Sequence, residues 1–106
     1  MHPVERRRSR STRPVEALAF FLNRARHSLG VRALTLGTTS GHLIAGSGDD
    51  LDRVAEAGAD VDSGGVAAEP IATWRMQLGG AEVVLTSLGG ALDPELGSGV
   101  RRILAG

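Results

Sequence analysis

The chain has 106 residues, a formal net charge of zero, and neither cysteine nor lysine. This length fits one domain, and the missing cysteines exclude disulfides, thiolate metal sites and a cysteine nucleophile. The missing lysines exclude a lysine Schiff base and the lysine-containing phosphate loop. A cysteine-free chain suits a reducing compartment, and no apolar run approaches the roughly 18–20 residues that span a bilayer, so the sequence predicts a cytoplasmic protein.

The charges are segregated along the chain. The first 32 residues hold eight arginines and two acids, whereas residues 33–106 hold four arginines and ten acids. Residues 1–13 have almost no apolar content, so they are predicted to form a disordered arm before a single domain at 14–106. The arginines of this arm are Arg6, Arg7, Arg8, Arg10 and Arg13. They predict either a solvated tail or a contact with nucleic acid, an anionic membrane or an acidic protein.

A first helix is predicted to begin near Thr12 to Pro14, because threonine can cap a helix and proline is tolerated in its first turn. Apolar residues then recur at three- and four-residue steps, which indicates one buried face. These residues are Val15, Leu18, Leu22, Ala25 and Leu29. Phe20 and Phe21 are expected to widen that face, and Gly30 to end the helix in the left-handed conformation.

A hairpin is predicted next, with strands at 31–36 and 42–45. The glycine-rich residues 46–48 are expected to end the second strand, and Asp49 or Asp50 to cap a second helix. One side of that helix carries a stripe of small and apolar residues, namely Leu51, Val54, Ala55 and Gly58. A stripe of this kind suits the close approach of another helix.

The second half of the chain repeats the hairpin pattern. Strands are predicted at 71–78 and 81–88, joined by Gly79-Gly80, which is a two-residue hairpin signal. Asp93-Pro94 is expected to open a closing helix. The order is therefore helix, hairpin, helix, hairpin, helix, and it predicts an α+β domain in which helices pack on an antiparallel sheet.

No motif for catalysis, cofactors or metals is found in the sequence. Residues 46–51 begin like a dinucleotide loop but place Leu51 at the third glycine position, with two aspartates that would repel a pyrophosphate. Residues 60–71 begin like a calcium loop but end at Ile71 instead of a bidentate glutamate. The histidines lack metal-ligand spacing. We therefore predict no catalytic, cofactor-binding or metal-ligating residue, and an enzyme is the least favoured class.

Residues 21–58 resemble the front half of a roadblock / dynein light-chain-type domain, in which a helix leads to a strand such as Val31 to Leu36. A turn, a strand of the type Gly41-His42-Leu43-Ile44-Ala45 and a second helix follow. Residues 72–106 are similar to the back half, where the strand at 81–88 feeds a closing helix. The motifs are mostly glycines and aliphatic residues. Family members usually have five strands, one more than the hairpins predict, so the resemblance implies a sheet of four to five strands.

The resemblance implies a non-enzymatic module. Such domains pair as homodimers or with a paralogue, and the two sheets join beside the second helix. The dimer acts as a platform or regulator, in bacteria often for a small Ras-like GTPase. Carried over by position, the dimer interface comprises Leu51, Val54, Ala55, Gly58, Ile71, Thr73 and Trp74. A subunit interface also suits the marginal stability of a domain of roughly 90 residues, which buries about 60–65% of its unfolded surface.

Two other classes of function stay open. A ligand-sensing domain of PAS or profilin-like shape requires a pocket between helix and sheet with polar groups that converge on it. A protein that binds nucleic acid or an anionic membrane through residues 1–13 requires binding that weakens steeply with salt and disappears when the arm is removed.

Overall fold

The computed structural model describes the backbone of residues 3–78, 80–90 and 94–105, and side chains from residue 15 onward except at 94, 95, 97, 104 and 105. Within these ranges the elements are α1 (Pro3–Leu29), β1 (Ala33–Thr38), β2 (Leu43–Gly48), α2 (Leu51–Asp62), β3 (Ile71–Leu78), β4 (Ala81–Leu88) and α3 (Pro94–Ala105). The predicted α+β class is confirmed, with the predicted order of helices and hairpins. The fifth strand implied by the resemblance is not among the elements of the described ranges.

The four strands form one antiparallel sheet in the order β2-β1-β4-β3. The strand bounds predicted at 71–78 and 81–88 are confirmed. The pairing of Leu78 with Ala81 leaves two residues for the connection, of which Gly80 has a φ of 85° and Gly79 lies outside the described residues. A positive φ is what a two-residue hairpin turn requires, and glycine adopts it without steric cost.

The sheet carries helices on both faces. The larger core lies under α1 and α3 and includes Leu18, Leu22, Leu34, Leu36, Leu85, Leu96 and Val100. On the other face Ala33 and Leu88 pack on Val54 of α2. Side chains alternate along a strand, so the neighbours Ala33 and Leu34 point to opposite faces and anchor different helices. Burying a side chain such as Leu22 stabilises the fold by about 1.5–3 kcal/mol.

Helix α1 begins at Pro3, whereas the sequence predicts a start near Thr12 to Pro14. Its first turns therefore run through the arm predicted to be disordered. The prediction of disorder follows from the lack of apolar residues, which limits burial in a core. It does not exclude a helix, because arginine has nearly the helix propensity of alanine. The division into an arm at 1–13 and a domain at 14–106 stays a prediction. At the other end Gly30 has a φ of 70° and its N–H donates to the carbonyl of Arg26, which confirms the predicted helix end.

The apolar face of α1 is narrower than predicted. Leu18 and Leu22 are fully buried, but Phe20 is 66% exposed and Val15 and Leu29 are also exposed. The ring of Phe21 packs on Gly99 of α3. Because Gly99 has no side chain, it leaves space for α1 to pack against α3. Phe20 and Phe21 therefore do not form one continuous buried surface.

The first hairpin lies further along the chain than predicted, because the glycines at 46 and 48 do not end the second strand. Gly46 pairs with Thr35 and Gly48 pairs with Ala33. A Cβ at position 48 would overlap with the carbonyl oxygen of Arg32, so glycine at this point permits a close approach of two backbones. The predicted cap is also corrected. Asp50 occupies the N-cap of α2 with a φ of 53°, but its side chain makes no capping hydrogen bond.

Candidate functional site

The small-residue stripe of α2 is covered by the chain's own sheet. Val54 and Ala55 are 1% and 3% exposed, and Gly58 is buried as well. Val54 packs on Ala33 and Leu88, and Gly58 lies on Thr86 of β4. The predicted role of these three stripe residues in a direct contact with a second subunit is therefore wrong. Small side chains on α2 serve a close helix–sheet contact within one polypeptide.

The other four residues of the predicted dimer interface lie at the edge of the contact between α2 and the sheet, or outside it. Leu51 and Ile71 are half-buried and pack on the small core beneath α2. Thr73 is half-buried in β3. Trp74 is 40% exposed in the same strand. The structure thus divides the predicted interface into a part that is internal and a part on β3 that solvent reaches.

Strand β3 is an edge of the sheet. It pairs along its whole length with β4, from Ile71 opposite Leu88 to Leu78 opposite Ala81, without a bulge. No other strand of the described residues pairs with its outer side. An edge of this kind presents backbone N–H and C=O groups that another strand can bind. The other edge strand, β2, pairs with β1 through a register shift at Leu36 and Gly37, so the regular outer side of β3 is the candidate interaction site.

The two faces of β3 differ in chemistry. Met76 and Leu78 pack in the core under α1 and α3, and alternation places Trp74 on that same face. Arg75 points to the α2 side. Its Nη2 lies 2.6 Å from Oδ2 of Asp62, at the end of α2.

Arg75 is held by two carboxylates. Its Nε also donates to Oδ2 of Asp62 over 2.8 Å, and its Nη1 donates to Oε2 of Glu82 over 3.2 Å. The hydrogen bond to Asp62, followed by the charge of that carboxylate, raises the pKa of Arg75 above its ordinary value. The charge in the middle of the edge strand is thereby compensated within the subunit.

A second ion pair holds the segment that leads into β3. Glu69 accepts a hydrogen bond from Nη1 of Arg53 in α2 over 2.8 Å, and Nη1 of Arg32 lies 4.0 Å from its other carboxylate oxygen. The hydrogen bond from Arg53 and then its charge lower the pKa of Glu69 below the ordinary value. Together the pairs at Glu69 and Arg75 tie both ends of α2 to the edge strand.

A polar groove lies between the β1–β2 turn and α2, lined among others by Ser40, His42, Glu56 and Asp60. Oγ of Ser40 is 3.3 Å from Nδ1 of His42, which resembles the spacing of a nucleophile and its base. However, the same Oγ lies 3.0 Å from Oγ1 of Thr38, which in turn accepts the backbone N–H of His42. These bonds close the turn, and none of them orients the hydroxyl toward a substrate.

The part of the chain with described side chains contains no cluster of three His, Asp or Glu residues that could hold a metal ion. The arginines of the arm, Arg6, Arg7, Arg8, Arg10 and Arg13, occupy positions along α1, and their side chains lie outside the described residues. None of the described helices combines the length and the apolar content needed to cross a bilayer.

The chain matches no protein-family model, no curated protein and no solved structure. The roadblock-type resemblance therefore stays an expectation that rests on the residues quoted for it. The fold itself is an α+β domain with two helices on one face of a four-stranded sheet and one helix on the other.

Proposed function

We propose that this chain is a non-catalytic adaptor or regulatory module that pairs with a second copy of itself and presents a surface to a protein partner. The observation that carries the proposal is the outer side of β3, where an eight-residue strand without a bulge faces solvent beside the partly exposed Trp74. Soluble domains usually protect such an edge with bulges, proline or charged side chains. Here the central charge, Arg75, is already satisfied by Asp62 and Glu82.

Two-fold symmetry restricts how β3 can pair with its copy. In an antiparallel pair, two opposed residues point to the same face of the sheet. A symmetric pair of β3 strands therefore has one central residue that lies opposite its own copy. A register centred on Trp74 sets two indole rings side by side, whereas a register centred on Arg75 opposes two guanidinium groups. Aromatic cross-strand pairs stabilise a sheet and like charges destabilise it. Of these two registers, the one centred on Trp74 is favoured.

Light scattering with size-exclusion chromatography tests the pairing. We expect wild-type protein at micromolar concentration to elute with twice the monomer mass. Trp74→Arg should reduce the mass to that of a monomer while the far-UV circular dichroism stays unchanged. Val66→Arg is the matched control, because it also replaces an exposed apolar side chain, 93% exposed and outside the sheet. A wild-type monomer, or a Trp74→Arg dimer, would contradict the proposal.

The partner class in this proposal is a small Ras-like GTPase, because that is what the roadblock-type resemblance implies. The test is affinity capture from the native cell extract with wild-type protein and with Trp74→Arg as baits, followed by mass spectrometry. A GTPase retained by the dimer and lost with the monomeric variant supports the assignment. Retention of nucleic acid by both baits would assign the function to the arginine-rich residues 1–13 instead.

A further inference from the structure

A second surface lies on the opposite side of the molecule from α2. A groove of about 510 Å³ runs between α1 and α3. Its apolar lining comes from Ala17, Phe20, Phe21, Ala25 and Ile103. Phe20 is the most exposed of these side chains, at 66%. An aromatic side chain this exposed at the wall of a concave surface is typical of a docking site.

Arg24 gives the groove lining a positive charge. Arg101 and Arg102 are exposed on α3, outside the lining. The ion pairs among the described side chains use Arg32, Arg53 and Arg75 and leave out these three arginines. Glu16 of α1, four residues before Phe20, is exposed and forms no ion pair with a described side chain.

The exposed acids of α2 cannot neutralise these arginines within one subunit. Asp52, Glu56 and Asp60 follow each other at four-residue steps on the solvent side of α2, which packs on the other face of the sheet. Among the described side chains, Arg24, Arg101 and Arg102 form no ion pair on the α1/α3 side, and Asp52, Glu56 and Asp60 form none on the α2 side.

The groove side of α1 continues toward the start of the chain. The lining positions 17, 20, 24 and 28 are separated by three or four residues. Positions three or four apart share one side of a helix. The same steps lead back along α1 through Arg13, Arg10 and Arg6. This spacing places the apolar groove and the positions of Arg13, Arg10 and Arg6 on one side of α1.

We propose that the α1–α3 groove binds an acidic amphipathic helix of a partner protein. The apolar side of such a helix, with anchors at three- and four-residue steps, would fill the groove against Phe20 and Ile103. Its carboxylates would face Arg24 and the row of arginine positions along α1. A concave surface between two helices fits a helical segment better than a membrane, because a membrane-bound helix buries its outward apolar face in the bilayer interface. This surface is separate from the outer side of β3 and does not depend on pairing there.

The proposal is tested with two labelled synthetic helical peptides that share one leucine pattern, one with glutamate and one with lysine at the polar positions. Fluorescence anisotropy with the full chain should show binding of the glutamate peptide only. Phe20→Ser and Arg24→Glu should each weaken that binding at least tenfold. Arg32→Glu, the same charge reversal at an exposed arginine outside the groove lining, should leave it within twofold. Trp74→Arg should also leave it unchanged, which separates the groove from the β3 edge.

Several results would overturn the inference. These are a dissociation constant above about 1 mM for the glutamate peptide, equal binding of both peptides, or unchanged binding by Arg24→Glu. Binding of wild-type protein to phosphatidylserine vesicles that Phe20→Ser abolishes would assign the surface to a membrane. Self-association that both Arg24→Glu and Glu56→Arg abolish would assign it to the acidic side of a second copy.

Discussion

Gly58 of α2 lies directly on Thr86 of β4, so closely that a Cβ at position 58 would stand 2.7 Å from the threonine Cβ and overlap with its hydroxyl. This relationship explains why the middle helix carries small residues. They let α2 approach the sheet of its own subunit, with Ala55 close to Gly37 of β1 in the same way. The proposed dimer therefore uses other residues, those on the outer side of β3.

Gly58→Ala tests this helix–sheet contact. Alanine improves helix propensity by about 1 kcal/mol, but the added methyl group has no space, and overpacking of this kind costs about 1–3 kcal/mol. We expect a lower free energy of unfolding, measured by urea denaturation. Asp52→Ala, on the exposed side of the same helix, should stay within about 0.5 kcal/mol of wild type. A more stable Gly58→Ala variant would show that α2 is not seated on β4.

The hydroxyls of Thr35 and Thr86 are buried beneath α2 and find no hydrogen-bond partner among the described residues, and the two residues are paired across β1 and β4. A buried hydroxyl without a partner costs about 1–3 kcal/mol, and valine has nearly the same shape without the polar atom. We expect Thr35→Val and Thr86→Val each to raise the midpoint of urea denaturation. Thr39→Val, at an exposed position, should leave it unchanged. A lower midpoint in both buried variants would mean that the hydroxyls have partners.

The sequence predicted the second hairpin well and the first one poorly, for physical reasons. In β3 and β4 apolar residues continue up to a glycine pair, so pattern and turn chemistry agree. In β2 the glycines at 46 and 48 look like strand breakers, yet they serve close backbone contacts that no local pattern reveals. The stripe on α2 was expected to meet a second subunit, whereas the chain's own sheet covers it. A periodic pattern predicts that one side of a helix is buried, but it does not identify the surface that covers that side.

The ion pairs at the edge strand show a second limit of sequence reasoning. Arg75 and Asp62 are 13 residues apart, and Arg53 and Glu69 are 16 apart. Neither spacing corresponds to neighbours on one helix or strand. The contacts arise because α2 packs beside β3, with Arg53 near the start of the helix and Asp62 at its end, so they could be found only once the packing of α2 on the sheet was known.

Acid should weaken the link between Arg53 and Glu69. The folded-state pKa of Glu69 is lowered, so its contribution to stability is present above the unfolded-state pKa and is lost as pH falls through the folded-state value. We expect Glu69→Gln to flatten the acid side of the stability–pH curve, measured by urea denaturation at several pH values. Arg53→Gln should flatten it in the same way, because it removes the hydrogen bond that lowers the pKa. An unaltered acid slope in both variants would mean that the pair does not persist in solution.

The variant Val54→Arg tests whether the stripe on α2 is buried by the chain's own sheet or by a second copy of the chain. The side chain is 1% exposed and packs on Ala33 and Leu88, so an unpaired guanidinium there costs several kcal/mol and should unfold the subunit. Trp74→Arg introduces the same charge at a partly exposed position and should keep the fold. Far-UV circular dichroism and size-exclusion chromatography separate the two results. A Val54→Arg variant that stays folded with half the wild-type mass would return the interface to the α2 stripe and remove the argument for β3.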